Sequence, residues 1–546
     1  MTSDLTPSQL LAGLDDDQVA AAQALQGPVA IIAGAGSGKT RTVSHRIAYG
    51  IQTGSYAANR VFALTYTNRA AAELRTRLRS LGAQDVAVRT FHSAALTQLQ
   101  FFWPQLTDSF APKLVTHKGP LIQEVLEQMG IRATAELKSS LQAEVEYVRY
   151  SMKDPEKYQA SRPEGSSLGA ERFGEFFRAF ELLKQKRRII DWEDALLLCV
   201  GMLRDQPRML AHVQQQYRFF TVDEYQDISP LQQALLETWL GDRQELCVVG
   251  DPRQTIYTFA GARSDFLTGF QDRYEKAQVF ELNRNYRSSQ EVVALANRVS
   301  PDAPLEAIRQ VSEKPVFKTF KNAGDEALNV VRQINEFLEN GVGRGEIAVL
   351  ARTNAQLVKI EQELKNSSVD YQVRGSGRFF KRPEVVQGAG AIRALQTSEP
   401  KEPLFMEVSK IISALGWKSR ANKDEKWLAL NWFLEVLEEL DEPNLDEYLR
   451  ELDERERSGH EPMRDAVMLA TIHGTKGLEF AKVFLIGVNQ NYFPIGYAKT
   501  EAEIAEEQRL FYVAITRAKD FLQVSSRLDK HPSDFIKRFG SHTPTS

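Results

Sequence analysis

The chain has 546 residues, too many for one hydrophobic core, so we expect two to four domains. Hydrophobic residues make up 42% and charged residues 26%, an ordinary globular composition, and no apolar run approaches the ~18 residues that would span a bilayer. The two cysteines, Cys199 and Cys247, have no metal-ligand spacing, and the acidic N-terminus is unlike a secretory signal, which excludes a disulfide scaffold and favours the cytoplasm. The net charge of −4 neither indicates nor excludes nucleic-acid binding, because binding depends on where charges cluster.

A short apolar run, Gly27–Ala33, leads into a glycine-rich turn and then into a helical pattern. This arrangement predicts a buried strand, a loop at Gly34–Lys39 and a helix. Further strands are predicted at Val61–Thr65, Arg218–Val222 and Glu245–Val249. Each strand ends in polar residues, which is typical of a parallel α/β sheet whose site lies at the carboxyl ends of its strands.

Two helical stretches interrupt the strand pattern. The first runs from about Ala94 to Ile190 and predicts an inserted domain. After Leu282 the alternation of strands and helices begins again, with Glu346–Ala351 and Lys482–Gly487 as predicted strands of a second α/β domain. An acidic helical stretch that follows Val385 indicates a second insertion.

The segment AGAGSGKT matches a phosphate-binding loop with alanine in place of the first glycine. Its glycines let successive backbone N–H groups curl around phosphate oxygens at a helix N-terminus. Lys39 adds positive charge, and Thr40 supplies a hydroxyl to Mg²⁺. The predicted nucleotide-binding residues of this loop are Ala33, Gly34, Ala35, Gly36, Ser37, Gly38, Lys39 and Thr40.

The segment FFTVDEYQD, at Phe219–Asp227, predicts the complementary half of the site. An apolar strand delivers Asp223 next to the metal, while Glu224 is placed to orient and deprotonate the attacking water. An acidic pair after a strand is a weak signal by itself, but joined to the phosphate loop it indicates nucleotide hydrolysis. The predicted metal ligands are Thr40 and Asp223.

Phosphoryl transfer also needs positive charge where negative charge spreads in the transition state. Arginines occur in LNRNYRSS, at Leu282–Ser289, and in EEQRLFYVAITRAK, at Glu506–Lys519. A single arginine is most often a solvated surface residue. A catalytic role for the arginines of these two segments is therefore supported only by the other motifs of the chain.

Taken in order, the motifs resemble those of superfamily 1A DNA helicases of the UvrD/PcrA/Rep family. The resemblance covers nearly the whole chain through LDDDQ, AGAGSGKT, ALTYTNRAAAELRTRL, TFHS, VDEYQD, VVGDPRQTIYTFAGA, LNRNYRSS, IAVLARTNAQ, MLATIHGTKGLEF and LFYVAITRAK. It implies an α/β fold of two RecA-like parallel-sheet P-loop NTPase domains, each with a mainly helical inserted accessory domain. It also implies ATP and Mg²⁺ as cofactors.

The expected domains are 1–93 with 191–277 for the first RecA-like domain, 94–190 for its insertion, 278–385 with 463–546 for the second RecA-like domain, and 386–462 for a reduced second insertion. This second insertion is acidic and much shorter than the corresponding domain of well-known family members. We therefore expect it not to grip duplex DNA.

The resemblance implies roles around the nucleotide. Gln18 would bind the adenine edge, and Tyr286 and Arg41 would sandwich the adenine ring. Glu479 would contact the ribose. Gln254 would sense the γ-phosphate. The implied catalytic set is Glu224, Asp223, Lys39, Gln254 and two arginine fingers from the second domain, Arg287 and Arg517.

A motor on single strands needs flat side chains on which unpaired bases stack. Tyr66 and Phe259 follow strands amid polar neighbours, which favours this role, whereas core packing remains an equal alternative for Tyr257 and His92. The full set of expected DNA contacts is Tyr66, Asn68, His92, Tyr257, Phe259, Arg352, Asn354 and His473. Two arginine-rich segments, 69–79 and 374–382, are further candidates for phosphate contacts, with a solvated helix face as the alternative for the first.

One motif departs from the family pattern. Phe259-Ala260-Gly261 stands where the family often has Trp-Arg-Gly. The missing arginine removes a contact that transmits the ATP state to DNA in relatives, so we expect the coupling to differ.

The leading interpretation is an ATP-dependent 3′–5′ DNA helicase and translocase that acts on single-stranded DNA and on single-strand/duplex junctions, in repair or replication. The alternative is a DNA-dependent translocase that displaces proteins and unwinds weakly without a partner. A third interpretation, a regulatory subunit with an inactive motor, is disfavoured by the intact catalytic residues. Expected partners are DNA and DNA repair proteins, with no membrane, in a bacterial cytoplasm, as a monomer or a DNA-induced dimer.

Overall fold

The computed structural model describes residues 5–155, 167–310, 313–375, 378–397, 402–418, 425–440, 443–457, 461–462 and 464–540. Contacts divide the chain into two compact units, the first unit (Met1–Arg284) and the second unit (Asn285–Ser546). Both alternate parallel strands with helices, which confirms the expected α/β class. Parts of the expected second insertion, 398–401, 419–424, 441–442 and 458–460, lie outside the described residues.

The first unit is built on a parallel sheet. Its described strands are β1 (Val29–Ala33), β2 (Val61–Thr65), β3 (Ala87–Thr90), β4 (Lys113–Leu114), β5 (Ile189–Ile190), β6 (Phe219–Val222), β7 (Leu246–Gly250) and β8 (Gln278–Leu282). The sheet order is β3-β2-β6-β7-β1-β8, and every neighbouring pair is parallel. The strands predicted around the phosphate loop are present, with ends that differ by about one or two residues.

Helices cover both faces of this sheet. Among the described residues they are α1 (Pro7–Leu11), α2 (Asp16–Gln23), α3 (Lys39–Gln52), α4 (Asn68–Ser80), α5 (Phe91–Thr107), α6 (Gly119–Gln128), α7 (Ala135–Tyr150), α8 (Ala170–Arg187), α9 (Trp192–Asp205), α10 (Pro207–Gln216), α11 (Pro230–Leu240), α12 (Asp265–Thr268) and α13 (Phe270–Arg273). Apolar residues of α3 and α4 join one hydrophobic cluster, and those of α5, α9 and α11 join another. Strands covered on both faces need continuous apolar sequences, which VAIIA, VFALT and LCVVG provide.

Strand β8 lies beyond the expected boundary between residues 277 and 278, yet it belongs to the first sheet. It pairs in parallel with β1, from Val29 opposite Gln278 to Ala33 opposite Leu282. Because this pairing completes the first sheet, the division between the units falls after Arg284.

The helical insertion of the first unit is also smaller than the expected range 94–190. Helices α6, α7 and α8 enclose a hydrophobic core of their own. The short strands β4 and β5 pair in parallel where the chain enters and leaves this bundle. Helix α5, by contrast, buries Phe91, Leu99 and Phe102 in the main cluster of the unit. Its apolar face therefore belongs to the RecA-like core and not to the insertion.

The second unit contains a second parallel sheet. Its described strands are β9 (Arg284–Ser289), β10 (Glu306–Arg309), β11 (Val316–Phe320), β12 (Ile347–Ala351), β13 (Tyr371–Val373), β14 (Val467–Thr471), β15 (Phe480–Leu485) and β16 (Ala518–Arg527). The main sheet has the order β11-β16-β15-β12-β14-β13, while β9 and β10 form a separate pair. Adjacent strands of the main sheet are parallel throughout.

The described helices of the second unit are α14 (Gln290–Val299), α15 (Ala323–Glu339), α16 (Asn354–Asn366), α17 (Pro383–Ala394), α18 (Leu404–Ala414), α19 (Glu425–Glu439), α20 (Leu445–Arg457), α21 (Glu501–Ile515) and α22 (Asp534–Phe539). Helices α17 to α20 form the second insertion around their own hydrophobic core. Phe379 and Phe380 also lie in this core, edge-on against Trp432, so the insertion begins before the expected residue 386. Among the described residues, no helix has both the length and the apolar character required to cross a membrane.

Candidate nucleotide site and nucleic-acid interface

The predicted phosphate loop, Ala33–Thr40, connects β1 to α3. Gly36 and Gly38 have left-handed backbones, with φ of 69° and 80°, which a side chain would strain. Gly38 precedes α3 as its N-cap and offers no side-chain acceptor to the first N–H groups of the helix. Those N–H groups and the positive end of the helix dipole are suited to bind phosphate.

Hydrogen bonds hold the phosphate loop in this shape. The Gly34 N–H donates to the Leu282 carbonyl of β8 at 3.0 Å, and the buried Ser37 hydroxyl donates to the Gly34 carbonyl at 2.8 Å. The Lys39 ammonium lies 3.4 Å from the Ala33 carbonyl, which places its charge inside the curve of the loop.

Gln18 is attached to the same loop. Its side-chain Nε2 donates to the Ser37 carbonyl at 3.0 Å, and its Oε1 accepts from the Asp15 N–H at 3.3 Å. A Cβ at Gly38 would come within 2.8 Å of Nε2, so a side chain there would displace the Gln18 amide and strain the left-handed backbone. Arg41, the other expected adenine contact of this unit, is exposed on the first turn of α3.

The acidic pair lies at the carboxyl end of β6. Asp223 is buried, and its Oδ1 accepts the Glu224 N–H at 2.9 Å. Burial, then the neighbouring Glu224 charge, raise the pKa of Asp223 to about 7, although Lys39 opposes the shift. The carboxylate of Asp223 and the hydroxyl of Thr40 are oxygen donors of the kind Mg²⁺ prefers, and a divalent cation would relieve the repulsion within the pair, so these residues fit that ion.

A buried hydrogen-bonded chain runs from this pair to the end of β7. Gln226 donates to Glu224 through Nε2, and its Oε1 accepts the Asp251 N–H at 3.0 Å. Asp251 in turn accepts from the Gln254 side chain at 2.8 Å. The sequence did not predict a role for Gln226 or Asp251, although both lie inside motifs that carry the family resemblance. The sequence signal that could have identified them is a glutamine close to acidic residues just after each of the two strands, in DEYQD and in GDPRQ.

In the second unit, Arg287 and Glu479 lie together. The Arg287 guanidinium pairs with Glu479, and Lys519 contacts the other oxygen of that carboxylate at 2.9 Å. Burial opposes ionisation of Glu479, but the charges of Arg287 and Lys519 outweigh it and lower the pKa of the carboxyl. Tyr286, beside Arg287 on β9, is 42% exposed. The expected ribose contact and the first expected arginine finger are therefore neighbours.

Arg517, the second expected finger, has a different environment. Its side chain is 1% exposed. Its guanidinium donates to the carbonyls of Val513 and Leu478, both at 3.0 Å, and to the Thr516 hydroxyl at 3.2 Å. These bonds fix the orientation of the guanidinium.

Aromatic side chains of the first unit form what we call the aromatic strip: Tyr66, Tyr257 and Phe259. The Tyr66 and Tyr257 rings are nearly parallel, with centroids 5.5 Å apart, and Phe259 stands 6.1 Å from Tyr257 and is 61% exposed. Tyr257 and His92 are both partly buried. Asn68 begins α4, directly after the strand end that carries Tyr66.

Two family descriptions match the chain. The "UvrD/REP helicase N-terminal domain" matches residues 14–275, and the "UvrD-like helicase C-terminal domain" matches residues 280–395 and 393–528. The chain belongs to the UvrD/PcrA helicase family. Its two parallel sheets are the RecA-like domains of that family, as the motifs predicted.

Curated relatives of this family member align over most of their length. "ATP-dependent DNA helicase UvrD2" of Mycobacterium tuberculosis (strain ATCC 25618 / H37Rv) is 36% identical, over 96% of this chain and 80% of the relative. "ATP-dependent DNA helicase PcrA" of Leuconostoc citreum is 26% identical, over 93% of this chain and 81% of the relative. PcrA of Staphylococcus aureus (strain MRSA252) is 25% identical, over 97% and 86%.

The expected DNA contacts of the second RecA-like domain have varied surroundings. Arg352 is bonded to Glu507 through both Nε, at 3.0 Å, and Nη2, at 2.8 Å. Another polar neighbour of Arg352, Tyr497, is a 69% exposed ring that the motifs did not identify. Asn354 is exposed at the start of α16, and His473 is partly exposed in a turn after β14.

Carboxylates neutralise much of the second arginine-rich segment. Arg378 pairs with Glu361, and Arg382 pairs with Glu384 at 2.6 Å and with Glu425 at 3.1 Å. The segment is therefore not a bare basic patch.

Proposed function

We propose that this UvrD/PcrA family member couples hydrolysis of Mg²⁺·ATP to 3′–5′ movement on single-stranded DNA and separates strands at single-strand/duplex junctions, in repair or replication. One observation carries the proposal. Expected nucleotide and DNA residues follow the carboxyl ends of five strands of one sheet, where parallel sheets place ligands. The strands and residues are β1 with the phosphate loop, β2 with Tyr66, β3 with His92, β6 with the acidic pair and β7 with Gln254.

The chemistry follows from the side chains. The phosphate loop and Lys39 would bind the phosphates. Mg²⁺, held by Thr40 and Asp223, would neutralise phosphate charge when bound. Glu224 would accept the proton of the attacking water, and the Gln226 hydrogen bond would orient its carboxylate. Arg287 and Arg517 would supply positive charge from the second domain.

The hydrogen-bonded chain Glu224–Gln226–Asp251–Gln254 supports coupling between ATP and DNA. Gln254 ends a short turn, Pro252–Gln254, and Tyr257 and Phe259 follow it within the same loop. A change at the γ-phosphate that moves Gln254 would thus pass along the backbone to the aromatic strip. The loop from Gln254 to Phe259 would thus link the ATP site mechanically to the residues on which bases stack.

The test measures ATP hydrolysis with and without single-stranded DNA, and then strand separation on duplexes with either a 3′ or a 5′ tail. We expect DNA to stimulate hydrolysis several-fold and unwinding to require the 3′ tail. Hydrolysis that ignores DNA would contradict the motor, and unwinding from the 5′ tail alone would contradict the polarity.

A second function, translocation that displaces bound proteins but unwinds weakly without a partner, is favoured by two features. Ala260 replaces the family's arginine next to Phe259, and the second insertion is a small bundle whose helix α20 carries many carboxylates. Removal of a protein bound to single-stranded DNA, timed against strand separation on the same tail, distinguishes the two. Protein removal that is much faster than unwinding would support this second function.

A further inference from the structure

The helical insertion of the first unit contacts the DNA-binding elements through the last residue of α7. The Tyr150 hydroxyl lies 3.0 Å from the His92 Nε2, at the start of α5. The two rings are perpendicular, with centroids 5.9 Å apart, and Trp192 packs edge-on against the imidazole at 5.8 Å. His92 is therefore oriented by one side chain from the insertion and by one from the RecA-like core.

Tyr150 also contacts the loop that carries Phe259. Gly261 ends the short turn Thr258–Ala260 with φ of 89°. A Cβ at Gly261 would come within 3.1 Å of the Tyr150 Cβ and within 3.2 Å of the Ser151 hydroxyl. The backbone of the loop that carries Phe259 thus packs directly against the end of α7.

Ion pairs anchor this end of α7. Arg149, the neighbour of Tyr150, pairs with Glu181 of α8 and lies 3.8 Å from Asp194 of α9. Because α9 is packed in the main core, Tyr150 is held in a defined place relative to both His92 and Gly261.

We propose that Tyr150 is a positioning residue for single-stranded DNA: it sets the distance between His92 and the Phe259 loop, so the insertion controls the spacing of two base-contacting elements. The proposal rests on the proposed DNA motor function. Tyr150 acts through His92 by its hydroxyl and through the loop by its backbone-proximal atoms. The role belongs to the insertion, outside every motif of the family resemblance.

The test replaces Tyr150 by Phe, which removes the hydroxyl and keeps the ring. ATPase activity is measured against the concentration of an oligothymidylate. We expect the concentration for half-maximal activity to rise about two- to twelvefold, the loss expected for one hydrogen bond. The maximal rate at saturating DNA should fall less than about twofold, because the nucleotide site is unchanged.

Tyr147→Phe is the matched control, since Tyr147 lies one turn earlier on α7 and its hydroxyl contacts Lys153 at 3.3 Å. It should leave the DNA concentration dependence at the wild-type value. In a His92→Ala background, Tyr150→Phe should add no further loss, because the shared contact is already gone. Thermal melting checks that all variants fold.

Three results would overturn the proposal: an unchanged half-maximal concentration in Tyr150→Phe, an equal change in Tyr147→Phe, or fully additive losses with His92→Ala. The failure of the proposed function is distinguishable, because the wild-type ATPase would then show no response to DNA at all.

Discussion

At the residue scale, Glu224 combines a strained backbone with a partly buried side chain. Its φ of 53° is uncommon for a residue with a Cβ. Such strain persists where the surroundings impose it, and it is frequent at catalytic sites. Here the Asp223 carboxylate and the Gln226 amide hold Glu224 from both sides.

The substitution Glu224→Gln tests the assignment of the general base. The amide keeps the size of the side chain but accepts no proton, so we expect ATP turnover to fall by roughly 10²–10⁴-fold, the range for general base catalysis. Binding of a fluorescent ATP analogue and of labelled single-stranded DNA should remain near the wild-type level. Steady-state hydrolysis that persists in this variant would show that another group takes the proton.

Tyr66 carries a prediction for the aromatic strip. Tyr66→Ala removes a stacking surface worth roughly 1–3 kcal/mol per base, so the DNA concentration for half-maximal ATPase should rise about 5- to 150-fold. Hydrolysis without DNA should change much less, and Tyr66→Phe, which keeps the ring, should behave nearly as the wild type. Equal losses with and without DNA would instead indicate that the ring supports the core.

At the scale of elements, buried charges join the first insertion to the RecA-like core. Lys118 pairs with Glu193 at 2.6 Å, and Lys184 lies 2.9 Å from Asp191 and 2.6 Å from Asp194. We call the whole set the buried charge cluster: Lys118, Glu146, Arg149, Glu181, Lys184, Asp191, Glu193 and Asp194. Its five carboxylates outnumber its three cations, so repulsion among the carboxylates, together with burial, opposes the ionisation of some of them.

The excess of carboxylates makes the stability of the folded protein depend on pH. Burial, together with the negative charges of Asp191 and Glu146, raises the pKa of Glu193 to about 7 in spite of Lys118. The folded state therefore binds a proton that the unfolded state has released, and the contribution of Glu193 to stability falls as pH rises from the ordinary range of glutamate towards 7. Asp191, whose pKa Lys118 and Lys184 lower against the effect of burial, acts in the opposite sense and loses its contribution in acid.

The substitution Glu193→Gln should weaken the dependence of stability on pH in this range. Between about pH 5 and pH 7.5 the melting temperature of the variant should fall less than that of the wild type. The difference should be ~2–4 °C for each kcal/mol of pH-dependent unfolding free energy that the substitution removes. Melting curves across this range, with Glu171→Gln on the exposed face of α8 as the control, provide the measurement. Parallel profiles for wild type and Glu193→Gln would mean that Glu193 is ionised throughout.

At the scale of the whole molecule, each unit has its own sheet, its own insertion and its own part of the expected machinery. The phosphate loop, the acidic pair and the aromatic strip belong to the first unit. Arg287, Glu479 and Arg517 belong to the second. Under the proposed function, hydrolysis would require residues of both units, as in a motor that responds to ATP by domain movement.

The second insertion supports a prediction at this scale. Since α17 to α20 and Phe379 share a separate core, residues 378–462 should be replaceable by a Gly/Ser linker of about 12 residues, the length that a crossover between the parallel strands β13 and β14 requires. The shortened protein should keep its DNA-stimulated ATPase. Its affinity for a 3′-tailed duplex, relative to the tail alone, should equal that of the full chain, and a selective loss of duplex affinity would show that the insertion grips DNA.

The sequence by itself determined the two α/β domains, the phosphate loop, the acidic pair and the aromatic positions. Those features depend on local chemistry: apolar runs that form buried strands, glycines that allow left-handed turns, and polar residues at strand ends. Tertiary structure alone decided that α5 and β8 belong to the first RecA-like domain, that Glu507 engages Arg352, and that Tyr150 contacts His92. These contacts join residues far apart in the chain, and the patterns around each residue do not contain its partner, so only folding brings them together.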